Sequence, residues 1–307
     1  SVVWIEAVDS LLVGTNGDEW RVGTNKLDGA LTPTTFSIKQ VSTYGSKHIQ
    51  PIKVHNSILF VDSVGRKIRE LVFMNDEQRY TAPDLTSLAE DVTLSGITSI
   101  AHQRNLDSII WCTLGNGKLI SGIYERDQNV IAWSANPNKG LNQSVAVNQN
   151  PVEDEVWISV VRAIDGANEV YIEQFQPRYF GDTIDHAYFV DSGIEYVGAE
   201  TYVIGGLYHL EGQTVSVLGD GVVYEDLIVV SGSITLSSAV KRAFVGLPYT
   251  TKVKPMRMDV NTQGGSSHGS KKRIPELVLS FFDSMNVKYG SSDFAMYDID
   301  WTNAEWE

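Results

Sequence analysis

Residues 11–22 read Leu-Leu-Val-Gly-Thr-Asn-Gly-Asp-Glu-Trp-Arg-Val, two short apolar runs on either side of a turn. Asn16-Gly17 tolerates the positive φ angles of a tight primed turn, so the stretch reads as a β-hairpin. The pattern returns three times. Ile58-Leu59-Phe60-Val61-Asp62 runs into a turn at Ser63-Val64-Gly65 and out through 67–73. Ile109-Ile110-Trp111-Cys112-Thr113 is followed by Gly115-Asn116-Gly117 and then 119–125. Residues 155–161 lead to Asp165-Gly166-Ala167-Asn168 and out through 170–175. The first strands start at Leu11, Ile58, Ile109 and Val156, spaced 47, 51 and 47 residues apart. A period of about 40–50 residues with several short strands per unit is the mark of β-propeller blades, none of which buries both faces alone.

The expected fold class is therefore all-β, with about four propeller-like hairpin units in residues 1–197. The bulk composition agrees, because Val, Ile, Thr and Tyr are prominent and these residue types favour strands. From Gly198 the strands shorten and glycines become denser, and residues 198–258 are expected to form a small inserted β-barrel. Glu276-Leu277-Val278-Leu279-Ser280-Phe281-Phe282 reads as a strong final strand, so 259–307 is expected to rejoin the propeller. Asp84-Leu85-Thr86-Ser87-Leu88-Ala89-Glu90 carries good capping residues and predicts one short helix ending near Leu94. The chain begins on an apolar strand, Ser1-Val2-Val3-Trp4-Ile5, and reads as a fragment whose first blades are missing.

Acidic residues outnumber basic ones 38 to 24, a formal charge of −14. Such a chain lacks the basic footprint that grips phosphates, although an acidic wall can lie beside nucleic acid and repel it. No stretch approaches the ~18 apolar residues of a membrane-spanning helix. The single cysteine, Cys112, lies in an apolar run and reads as a small buried hydrophobe.

Catalytic patterns are weak. Gly265-Ser266-Ser267-His268-Gly269 matches the nucleophile-elbow spelling, but its Gly, Ser, Lys and Pro flanks lack the required strand and helix. The six histidines are scattered without zinc-ligand spacing. Asp18-Glu19 and Glu153-Asp154-Glu155 could supply a carboxylate pair for glycoside hydrolysis, yet they fall at turns and strand starts where acids are commonly solvated. No catalytic, metal or cofactor site is expected, and the chain is not read as an enzyme. The residues singled out are structural or interface candidates: Trp20, Arg69, Trp111, Trp133, Trp157, Trp301 and Trp306. Trp20 is expected to pack between blades. Lys271, Lys272 and Arg273, the only basic run, are the candidate phosphate contact.

Several pieces, in order along the chain, resemble one family. They are Leu12 to Val22, Ser42-Thr43-Tyr44-Gly45-Ser46, and Ile58 to Val61 with Gly65-Arg66-Lys67-Ile68-Arg69-Glu70. Tyr80-Thr81-Ala82-Pro83-Asp84-Leu85-Thr86 and Ala132-Trp133 follow. Last come His209-Leu210-Glu211-Gly212, Val245-Gly246-Leu247-Pro248-Tyr249 and Lys271-Lys272-Arg273-Ile274. Together they resemble the tail nozzle (tail tubular B) proteins of short-tailed bacteriophages and prophages. Residues 207–249 also resemble, in fold alone, the first catalytic cysteine half-domain of ubiquitin-activating enzymes.

The nozzle resemblance implies a structural virion protein, made in the bacterial host cytoplasm and located in the tail. It implies a homo-oligomeric ring, six-fold in the virion, below the tail adaptor ring. Such a ring encloses the DNA exit channel, gates it, and docks tail fibres. DNA would pass transiently, and the acidic balance suits sliding because no basic row holds the phosphates. Two other readings remain open from the residues: a β-propeller attachment protein that binds host glycans, and a tail-associated glycosidase using the acid pairs.

Overall fold

Each of the four hairpins becomes part of an antiparallel sheet in the computed structural model. Described are residues 1–24, 32–105, 107–128, 130–177, 183, 186–187, 189–255, 261–262, 265–266, 273–274, 276–281 and 287–299. Sheet 1 runs in chain order through β1 (Val2–Ala7), β2 (Leu11–Thr15), β3 (Glu19–Thr24) and β4 (Phe36–Ser42). Sheet 2 repeats the meander with β5 (Ile52–Val54), β6 (Ser57–Val61), β7 (Ile68–Met74) and β8 (Arg79–Thr81). Sheet 3 has β9 (Ile97–Gln103), β10 (Ile109–Leu114), β11 (Leu119–Glu125) and β12 (Val130–Asn136). Sheet 4 has three strands, β13 (Leu141–Asn148), β14 (Glu155–Ile164) and β15 (Ala167–Gln174). The sequence-marked hairpins are β2–β3, β6–β7, β10–β11 and β14–β15.

The sheets stack face to face, and strand alternation shows how. In β6, Ile58 and Phe60 point one way and join Trp4 and Leu12 of sheet 1 in one apolar cluster. Leu59 and Val61 point the other way and join Ile97, Ile110, Cys112 and Leu114 of sheet 3. In β10, Ile109 and Trp111 turn to sheet 4, meeting Val145, Val156, Ile158 and Val160. Central strands covered on both faces read as continuous apolar runs, and every residue of β6 and β10 is buried.

Two glycines let tryptophans lie across their own sheets. Trp4 on β1 pairs with Gly14 on β2, and a Cβ at Gly14 would fall 2.1 Å from the indole. Trp133 on β12 pairs with Gly122 on β11, where a Cβ would fall 2.6 Å from the ring. In each sheet a bulky ring on an edge strand covers the bare backbone of its inner neighbour.

A fifth sheet follows, in the order β16 (Asp191–Gly205), β19 (Ser233–Leu247), β17 (Thr214–Gly219) and β18 (Val222–Ile228). It has its own core of Ile204, Leu207, Leu210, Val215, Val217, Leu236 and Val245 among others. The chain divides into two compact units, 1–251 and 252–307. The second contains two short hairpins, β20 (Asn261–Thr262) with β21 (Gly265–Ser266) and β22 (Lys288–Ser292) with β23 (Ala295–Asp298). The fold is all-β. No helix among the described residues is long and apolar enough to cross a membrane.

Two local expectations are corrected. The short helix expected from Asp84 is instead a run of turns, closed by Ala89 N–H to Thr86 O, Val92 N–H to Ala89 O and Gly96 N–H to Thr93 O. The capping chemistry is present, since Asp84 Oδ1 accepts from Thr86 N at 2.8 Å. The backbone, however, is already committed to β7: Leu85 N–H donates to Ile68 O, and Glu70 N–H to Pro83 O. The second correction is residues 276–281, which lie outside any strand and are exposed. An apolar run becomes a strand only when another strand pairs with it, and composition alone does not supply that neighbour.

Candidate functional site

The most regular feature of the stack is a joint at the hairpin turns. The chain leaving one sheet passes the turn of that sheet's central hairpin before it enters the next. Ser46 N–H donates to Thr15 O at 2.8 Å, Ile97 N–H to Gly65 O at 2.7 Å, and Asn142 N–H to Gly117 O at 2.8 Å. These acceptors recur at residues 15, 65 and 117, matching the period of the strands. The approach is close enough to need glycine. At Gly45, φ is +68° and a Cβ would lie 2.2 Å from Asn16 O; at Gly117, φ is +78° and a Cβ would lie 2.7 Å from Leu141. Lys47 adds a further tie, donating from Nζ to Ile97 O at 2.8 Å.

Buried carboxylates reinforce these joints. Glu19 is fully buried; its Oε1 accepts from Ser46 Oγ at 2.9 Å and its Oε2 from Ser42 Oγ. Asp62 Oδ1 accepts the amides of Gly65, Arg66 and Lys67 and so fixes the β6–β7 turn. Glu70 of sheet 2 accepts from Arg126 Nη1 at 3.0 Å across to sheet 3. The neighbouring Tyr124 hydroxyl is pushed up by burial and by its hydrogen bond to Glu70. Asp154 ties sheet 4 to sheet 3 by accepting from Arg104 N at 2.7 Å and from Asn105 N at 3.2 Å. Burial opposes the ionisation of Asp154, but the amides of Arg104, Asn150 and Asn105 outweigh it and hold the carboxyl below its ordinary range.

A second polar cluster lies at the end of sheet 4. Arg162, in mid-strand, has its side chain 1% exposed. Its Nε and Nη2 donate to the two carboxylate oxygens of Glu173 at 2.7 and 2.6 Å, and Nη1 donates to Lys139 O at 2.9 Å. Asp191, at the start of β16, has a buried Oδ2 without a hydrogen-bond partner. Burial pushes its carboxyl up to about 6; the Arg162 charge opposes the rise, Glu173 adds to it, and Lys139 opposes it.

The singled-out residues fall in different places. Trp111 is in the core between sheets 3 and 4, donating from Nε1 to Gln103 Oε1 at 3.0 Å and meeting Phe175 edge-on at 4.9 Å. Trp133 donates from Nε1 to Leu85 O at 2.9 Å and so ties sheet 3 to the turns after sheet 2. Arg69 lies between sheets 1 and 2, with its guanidinium carbon 3.4 Å from the Tyr44 ring centroid and Nη1 donating to Ala82 O at 2.8 Å. Trp20 pairs with Val13 and Gln40 on the face turned away from sheet 2; the indole between sheets 1 and 2 belongs to Trp4. Trp157 is half-buried on the outer face of sheet 4, its Nε1 donating to Glu155 at 3.3 Å. Arg273 is exposed. Lys271, Lys272, Trp301 and Trp306 lie outside the described residues, as does most of the Gly265–Gly269 stretch.

Sequence reasoning missed Arg126, Arg162 and Asp191. Each acts through a partner in another strand or sheet, which spacing along the chain does not reveal.

Of the acids eligible for hydrolysis, Glu19 and Asp154 are engaged as above, Glu155 accepts from Trp157 Nε1, and Gln40 Nε2 donates to Asp18 Oδ1 at 2.6 Å. Two open clefts are present, one lined by residues 40–44 and 79–82, the other by Asp84, Leu85, Leu88, Ile131 and Trp133 among others. The second also holds Ser87, but the Asp84 carboxylate is taken by Lys67 Nζ and by the amide and hydroxyl of Thr86. Cys112 is fully buried, and burial pushes its thiol well up. Among the described residues no group of His, Cys, Asp and Glu is placed to hold a metal ion. No protein-family model and no curated protein matches the chain.

Proposed function

We propose that this chain is a structural subunit of a bacteriophage tail, of the nozzle type. It forms part of a ring around the DNA exit channel and acts by assembly, gating and passage of DNA rather than by turnover. The stacked sheets are read as successive blades of a propeller, and the fifth sheet as the inserted barrel. The adaptor ring and tail fibres are its proposed neighbours in the virion.

The observation that carries this reading is that several of the family-like residues make contacts between one sheet and the next. Gly45 and Ser46 close on Thr15, Asn16 and Glu19. Arg69 bridges Tyr44 and Ala82, Asp84 pairs with Lys67 at 2.9 Å, and Trp133 reaches Leu85. In the fifth sheet, Glu211 accepts the amides of Ser231 and Gly232 at 2.8 and 2.7 Å. A likeness concentrated at load-transmitting contacts suits a protein selected for rigidity. The net charge of −14 adds support, since an acidic wall repels DNA.

The test is genetic. Deleting the coding region from the phage or prophage that carries it is expected to leave DNA-filled heads that lack the distal tail and do not infect. Particles of normal shape and infectivity would overturn the reading.

A further inference from the structure

The last strands of sheets 1 and 2, β4 and β8, are both edge strands, and an open cleft of about 380 Å³ lies between them. One wall is residues 40–44 and the other residues 79–82. Its volume falls within the range of small-molecule sites. Tyr44 supplies an aromatic surface. The Arg69 guanidinium carbon lies 3.4 Å from its ring centroid, against one face, yet Tyr44 is still 47% exposed. Arg69 is itself anchored, since Nη1 donates to Ala82 O at 2.8 Å. The attraction of this fixed cation for the ring holds Tyr44 in place.

Polar groups with unused bonding capacity surround the ring. Gln40 donates from Nε2 to Asp18 Oδ1 at 2.6 Å, which leaves its carbonyl oxygen and second N–H available. Arg79 donates from Nε to Glu77, and among the described residues its two terminal nitrogens are not engaged. The hydroxyls of Thr43 and Thr81 likewise have no hydrogen-bond partner among the described residues. Ser42 and Tyr80 are already committed, to Glu19 and to Ser10. Arg69 and Arg79 stand against Asp18, Glu77 and the buried Glu19, so the cleft has no surplus of positive charge to attract an anion.

We propose that this cleft binds a neutral saccharide. A pyranose ring has a face of C–H groups that packs on an aromatic ring, and a rim of hydroxyls that both donate and accept. Tyr44 meets the face. The Gln40 amide, the Asp18 and Glu77 carboxylates, the Arg79 N–H groups and the Thr43 and Thr81 hydroxyls meet the rim. A purely apolar ligand would strip water from these groups and leave them without partners, and a phosphate would face three carboxylates. The proposal rests on the cleft alone and stands apart from the tail assignment.

Saturation-transfer NMR of the full chain with the methyl glycosides of glucose, galactose, mannose and N-acetylglucosamine tests it. Transfer to the ring C–H protons of at least one glycoside is expected. Tyr44→Ala is expected to weaken that binding about tenfold or more, and Thr81→Val about threefold, while Tyr44→Phe retains it. Trp157→Ala, on the outer face of sheet 4, is expected to leave it unchanged. Circular dichroism establishes that each variant is folded; if Tyr44→Ala is not, Thr81→Val carries the test, because valine suits the same strand position. Transfer to none of the four glycosides would overturn the proposal. So would binding that persists undiminished in the folded Tyr44 and Thr81 variants, or binding lost in Trp157→Ala, either of which puts the sugar elsewhere. Displacement of the glycoside by inorganic phosphate would mark an anion site and overturn it equally.

Discussion

Asp191 is the residue whose environment makes the sharpest demand on solution conditions. Its carboxyl has one buried oxygen without a partner, and its pKa rises from 3.8 to about 6 because burial penalises the charge. The native state therefore binds this proton more tightly than the unfolded chain does. The stabilisation from the protonated form is complete below about pH 4 and is lost as pH rises through about 6. Asp191→Asn should accordingly melt at a higher temperature than the parent chain at pH 7–8 and at nearly the same temperature at about pH 4. An equal offset at both pH values would rule out the ionisation as cause. None of this was legible in the sequence, where Asp191 is one acid among 38. Arg162 is a similar case. Alternation along β14 puts it in the inward row with Ile158 and Val160, but only the cross-strand position of Glu173 explains how a charge is held there.

The strand-turn-strand unit was the most legible element. Asn16-Gly17, Ser63-Val64-Gly65, Gly115-Asn116-Gly117 and Asp165-Gly166 announce turns by local chemistry, so all four central hairpins can be read directly. Flanking strands were harder, because β5 and β8 have three residues each and owe their form to the neighbour they pair with. The segment after Asp84 shows the opposite failure, since good helix-capping residues were drawn into contacts with β7. The Trp–Gly pairs belong to this scale too. In sheet 3, replacing Gly122 with Ala puts a methyl group 2.6 Å from the Trp133 ring. The expected loss is about 1–3 kcal/mol in urea unfolding, as for other overpacked sites. A second change, Trp133→Ala, should remove most of that additional penalty in a double-mutant cycle, and strictly additive effects would contradict the packing account.

In the whole molecule, a period of about 50 residues is written twice, once in apolar strands and once in the joints at Thr15, Gly65 and Gly117. The first was readable because alternation and turn residues are local. The second was not, because a connector amide meeting a distant turn leaves only glycine as a trace. The candidate surfaces were read less well than the fold. Trp111 meets Phe175 and Trp133 reaches Leu85, whereas Trp20 faces away from sheet 2 and Trp4 takes the position between sheets 1 and 2. That Ile38 and Ile172 share exposed sheet faces with other apolar residues emerges only once register is known. Glu19, Glu70, Asp154 and Trp133 each fasten a sheet to the segment or sheet beside it, a pattern suited to a rigid molecule. The most direct test of the proposed tail role is immunogold electron microscopy of particles induced from the phage or prophage proposed to encode it, with antibodies raised against this chain. Label confined to the distal end of the tail is the result predicted; purified particles that carry no label there would contradict the account.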